Sequence, residues 1–191
     1  MSETVPPRTD AVELHARART IGHWAWTERR VFECFGAWAG TTPESTAAVC
    51  FGEMSRRHGW HAELWVDRLP ELASVDAESL VVAPGPDTAA LLDAMAADGD
   101  PSAVRRLSAA YRVLLPLLVT QYRAALGTVS AVAEPSLGRW LDIVLRDDLE
   151  EWSRGQSLLA SVLVDETAVQ AAAARQLELE LLALRTAQLT R

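Results

Sequence analysis

The chain has 191 residues, 49% of them hydrophobic and only 6% aromatic, a length and make-up that fit a single domain with a substantial core. Its 18 basic and 26 acidic side chains leave a net charge of −8, which argues against a protein whose main task is gripping nucleic-acid phosphates. No apolar run approaches the roughly 20 residues that cross a bilayer, since residues 113–119 are interrupted by Pro116, so no membrane partner is expected. Cys34 and Cys50 form no CxxC pair and residues 1–10 are polar with two prolines, which points to a cytoplasmic location.

Alanine and leucine dominate, and both lose little side-chain freedom in a helix. A first helix is expected over 11–39, ended by Gly40. Thr41-Thr42-Pro43-Glu44 then reads as the next start, with a hydroxyl cap, a proline in the first turn and an acid against the helix dipole. That second helix should run to Leu69 and stop at Pro70. Residues 71–86 read as an irregular crossing, followed by a short helix over 87–97 and a break at Asp98-Gly99-Asp100-Pro101. A third helix follows over 101–126, bent at Pro116, and a fourth over 135–164 with a weak point at Gly155. Asp165 caps a C-terminal helix over 166–190. No strand has a strong candidate, so the fold class is all-α, one domain over 1–191 with a helical body over 11–164.

Projected at about 100° per residue, the fourth helix carries an apolar stripe of Leu141, Val144, Leu145, Trp152, Leu159 and Val162. Asp148 falls in its middle and Glu151 at its edge, whereas Glu150 points to solvent. On the second helix Phe51, Met54, Ala62, Trp65 and Leu69 share a side with His58 at their centre and His61 beside it, while Glu53 and Glu63 project away. On the first helix Trp24, Val31, Phe35 and Trp38 form the stripe, with Glu28 near its edge and Glu33 opposite. Ionised groups are costly to bury unless paired, protonated or bound to a cation. Glu28, His58, His61, Asp148 and Glu151 therefore suit either an oxygen and nitrogen metal site for iron, manganese or zinc, or a buried network of paired charges.

At this point the sequence resembles the ferritin-like superfamily. His58-Gly59-Trp60-His61-Ala62-Glu63-Leu64 is similar to that superfamily's second-helix ligand segment, with His58 where a glutamate usually stands. His23-Trp24-Ala25-Trp26-Thr27-Glu28-Arg29-Arg30 resembles, more loosely, the ligand region of the tRNA-modifying diiron hydroxylases. The resemblance covers residues 20–165. It implies a ferritin-like four-helix bundle with a long crossover and an additional C-terminal helix, and a metal-dependent oxidoreductase or oxygenase with iron or manganese acting on a small-molecule substrate. The family's third-helix carboxylate has no counterpart, because no Asp or Glu lies between Pro101 and Ala133. The expected inward face there is Leu107, Tyr111, Leu114, Leu115, Leu118 and Tyr122.

Tyr111 and Tyr122 are the candidate catalytic residues, as hydrogen-bond donors or radical carriers, or else packed tyrosines with one satisfied hydroxyl each. Trp60 is expected outward. His15, His23 and the two cysteines fall outside this group. The other reading is a non-catalytic helical interaction or oligomerisation protein. Its main support is the C-terminal helix, where Leu177, Leu181 and Leu184, with Leu179 and Leu182, exceed one narrow stripe and suit contact with the body or a homo-oligomer partner.

Overall fold

A computed structural model describes residues 9–71 and 75–188; expectations that fall on 1–8, 72–74 and 189–191 lie outside the described residues. All regular structure among the described residues is helical. The elements are α1 (Thr9–Thr41), α2 (Ser45–Val66), a 3-10 turn (Ala77–Leu80), α3 (Pro86–Ala96), α4 (Ala103–Ser108), a π turn (Ala109–Leu114), α5 (Leu115–Thr128), α6 (Pro135–Val162) and α7 (Glu166–Gln188).

Apolar residues spaced three and four apart make α1 and α2 an amphipathic pair. Ile21, Trp24, Val31, Phe35 and Trp38 of α1 are buried against Phe51, Met54 and Trp65 of α2. Each such side chain, fully buried, is worth about 1.5–3 kcal/mol. The two helices run antiparallel, with Ser55 Oγ donating to Phe32 O at 2.9 Å and Gly59 lying against the Phe32 ring.

α4 and α5 form one rod through the π turn. It runs antiparallel to α1, Arg106 bonding Thr41 and Thr42 at one end and Tyr122 bonding Glu28 further along. α6 runs antiparallel both to that rod, where Tyr111 meets Trp152 and Gln156, and to α2, where Arg57 meets Glu151 and His61 meets Asp147. The segment between α2 and α3 crosses the outside of α1, its Leu80 carbonyl seated directly on Gly22. A Cβ at residue 22 would overlap that carbonyl. α7 packs on α3 and α4 through Arg175, which is buried and paired with Asp98 at 3.2 Å and Glu178 at 2.9 Å.

Several boundaries differ from the sequence expectation. α1 continues through Gly40 to Thr41, and the Thr41–Thr42 pair is no helix cap: both hydroxyls accept from the buried Arg106 guanidinium, and α2 begins after Glu44 with no side-chain cap. A buried guanidinium needs acceptors more than an exposed helix start needs a cap. α2 ends at Val66, not Leu69, because its last turn tightens to three-residue bonds from Arg68 N to Trp65 O and Leu69 N to Val66 O ahead of Pro70. Asp165 does cap α7, accepting from Ala168 N at 2.8 Å.

At the bend expected at Pro116 the backbone forms the π turn. Leu115 N donates to Ala110 O, five residues back, and in that pattern the Tyr111 carbonyl would require an N–H from residue 116, which proline lacks. Trp152 Nε1 and Gln156 Nε2 of α6 supply it instead, each at 2.9 Å. Gly155, expected to weaken the fourth helix, leaves α6 unbroken. The glycine is there because the Tyr111 ring occupies the place a Cβ would take.

Candidate metal centre

The inward faces of α1, α2 and α6 bring Glu28, His58, His61 and Asp148 to one place, each fully buried. Glu28, His58 and His61 each offer one ligating atom, and the three atoms lie within 4.8 Å of one another. This buried Glu/His/His group could hold a metal ion.

Glu28 is the hub. Its Oε2 accepts from His58 Nδ1 at 2.5 Å and its Oε1 from the Tyr122 hydroxyl at 2.5 Å. Trp65 Nε1 donates in turn to the Tyr122 oxygen at 3.2 Å. Burial works against the Glu28 carboxylate, but the charge and hydrogen bond of His58, with the nearby His61 ring, outweigh it and hold the acid well below its usual range. Burial likewise opposes a charged His58, and the Glu28 carboxylate overcomes it, so the imidazole is raised above its ordinary value.

His61 bridges the interior and the surface. Its Nε2 donates to Asp147 Oδ2 at 3.2 Å, while its Nδ1 stands 3.6 Å from Glu28 Oε2 and 3.9 Å from Asp148 Oδ1. Burial disfavours its charge, yet the hydrogen bond to Asp147 and the nearby Glu28 carboxylate push it up to about 10. Asp147 is half-buried, and the His61 bond draws its carboxyl down. Asp148 goes the other way: burial first, then the Glu28 charge, push it up to about 7.

The hydrogen bonds leave a remainder. His58 Nε2, His61 Nδ1 and both Asp148 oxygens are buried with no hydrogen-bond partner. Such atoms cost about 1–3 kcal/mol each, more when charged. Two imidazole nitrogens and a carboxylate are a donor set that a first-row transition ion accepts, so the residues present fit a cation.

Glu151 is buried but stands apart from this group. Its Oε2 lies 3.3 Å from Arg57 and it lines a surface cavity of about 310 Å³ between α2 and α6 with Cys50, Tyr111 and Arg154. Tyr111 bonds sulfur rather than the centre, 2.9 Å from Cys50 Sγ and 3.1 Å from Met54 Sδ. Tyr122 is the tyrosine that reaches Glu28. Glu33, Glu53, Glu63, Glu150 and Trp60 face solvent as their helix positions require. Asp147, Arg57 and Trp65 were not singled out as site residues by sequence reasoning; the acidic run 147–151 signalled the first, but only the spacing of α6 against α2 shows which nitrogen it serves. Comparisons with protein-family models, curated proteins and solved structures find no match to this chain.

Proposed function

We propose that the protein is a ferritin-like four-helix bundle that holds an iron or manganese ion at Glu28, His58, His61 and Asp148 and works as a metal-dependent oxidoreductase on a small organic substrate. The observation that carries this reading is the set of buried atoms without partners, His58 Nε2, His61 Nδ1 and the two Asp148 oxygens, beside the Glu28 carboxylate. The topology supports it: α1 and α6 run parallel to each other and antiparallel to α2 and the α4–α5 rod, themselves a parallel pair that the long crossing joins. When bound, such an ion supplies redox chemistry toward dioxygen or peroxide. The chain's own part is to fix the ligands. Tyr122 and Trp65 hold the Glu28 carboxylate, and Asp147 holds the His61 ring with one nitrogen inward, as outer partners of metal ligands do.

A second reading is supported by the bonds already made. Glu28 is shared by His58 and Tyr122, so the centre also suits a paired network in a non-catalytic interaction protein. Metal analysis separates the two. Protein produced with iron or manganese supplied, then desalted, is expected to keep about one ion per chain, and His61→Ala to lose it with helicity unchanged by circular dichroism. A wild-type chain that stays metal-free after reconstitution overturns the enzyme reading and leaves the paired network.

A further inference from the structure

α7 is apolar on two faces, and the body of the protein uses one of them. Ala172, Arg175 and Leu179 are buried against α3 and α4. On the other face Leu177, Leu181 and Leu184 are 58%, 54% and 59% exposed, and no described residue covers them. Their spacing of four and then three residues is that of a helix seam made to meet another helix. Beside the stripe runs a groove of about 360 Å³, floored by Val113, Pro116, Leu117 and Ala183 and edged by Leu184. Its two walls carry opposite charges, Arg112 on the π turn and Glu180 on α7.

Neither charge makes an ion pair among the described residues. Arg112 reaches Gln176 Oε1 at 3.4 Å, and Glu180 accepts from Gln176 Nε2 at 2.7 Å. We propose that this face is a twofold interface with a second copy of the chain, in which the leucine stripe of each copy seats in the groove of the other. The charges argue for a second copy. A twofold axis swaps positions, so contact between residues i and j occurs twice, and Arg112 of each copy then meets Glu180 of the other. The stripe and groove lie side by side on one surface, as a self-complementary patch requires. The interface lies away from the Glu28 centre and does not depend on a metal.

Sedimentation or light scattering at about 100 µM, where an interface of ordinary size is populated, is expected to give twice the 20.8 kDa of one chain. Leu181→Glu is expected to give monomer with helicity retained. Arg112→Glu and Glu180→Arg should each weaken the dimer by about tenfold or more, and the double variant should restore it, a result that holds even if Leu181→Glu fails to fold. Trp60→Glu, on a different exposed patch, should leave the dimer intact. A monomeric wild-type chain, a folded Leu181→Glu chain that keeps the dimer mass, or a double variant no tighter than its single parents overturns the proposal.

Discussion

Asp148→Asn in the metal-free protein separates an orphaned carboxylate from a satisfied one. The side chain is fully buried, both oxygens lack hydrogen-bond partners, and burial with the Glu28 charge pushes its acidity from an ordinary 3.8 to about 7. Each pH unit of such a difference corresponds to about 1.4 kcal/mol, so the rise withdraws about 4 kcal/mol of folding free energy at neutral pH. The sign follows from proton counting. Below pH 3.8 both states are protonated and nothing is lost; between 3.8 and about 7 the unfolded chain ionises while the folded one does not, and stability falls as pH rises. Asparagine keeps the shape and cannot ionise, at the cost of losing the attraction to His58 and His61. Guanidinium unfolding with a chelator present should show the variant more stable than wild type by about 2–4 kcal/mol at pH 8, the gap closing toward pH 4. With metal supplied the order should reverse, because the same substitution removes a ligand. A variant that is less stable than wild type at pH 8 without metal would refute the reasoning, since the carboxylate would then have partners that the structure does not show.

Gly155→Ala should destabilise the protein by about 1–3 kcal/mol or more, because its Cβ overlaps the Tyr111 ring, and Tyr111→Ala in the same chain should recover part of that loss in a thermal melt. Gly22→Ala should lift the crossing segment off α1, seen as faster amide exchange over 77–80 with the α2 core unchanged; equal exchange would show that the Leu80 carbonyl has room to move. Arg175→Met leaves the largely buried Asp98 with Arg105 as its one remaining ion-pair partner among the described residues and should cost about 3 kcal/mol, with α7 losing exchange protection before α1 and α2. His61 titrates in the opposite sense to Asp148. Its stabilising charge is fully present below 6.5 and lost as pH rises through about 10, so metal-free wild type should lose stability over that range and His61→Ala should flatten the loss.

Helix faces were legible in the sequence because a period of 3.6 needs only local information. That period separated Glu28 from Glu33, set His58 and His61 inward, and placed Asp148 in mid-stripe with Glu150 outside. What stayed hidden depends on how one helix slides against another, which no single helix encodes. Glu151 is inward as its edge position implies, yet α6 sits against α2 so that it meets Arg57 rather than the histidines. Asp147, about 100° from Asp148, serves His61 because that ring lies at the margin of the α2 face and reaches outward. Pro116 was visible as an interruption. The π turn that precedes it was not, because the bonds that make the turn tolerable come from Trp152 and Gln156 of another helix.

The π turn also makes the rod a counter of residues. A π turn holds one residue more than the α-helical path it replaces, and one residue of phase is about 100° around the helix axis. Tyr111 lies within the turn and Tyr122 beyond it, so the inserted residue sets the angle between the tyrosine facing Cys50 and the one facing Glu28. Closing the turn into an uninterrupted α-helix with every residue kept would rotate Tyr122, with the Leu118 face, by about 100° away from the centre, whereas losing one residue of 109–114 along with the turn would leave Tyr122 in place. The turn is therefore the place in the rod where a one-residue change of length is absorbed: related chains that keep the Tyr122–Glu28 bond are expected either to keep the turn or to lack both the turn and one residue here.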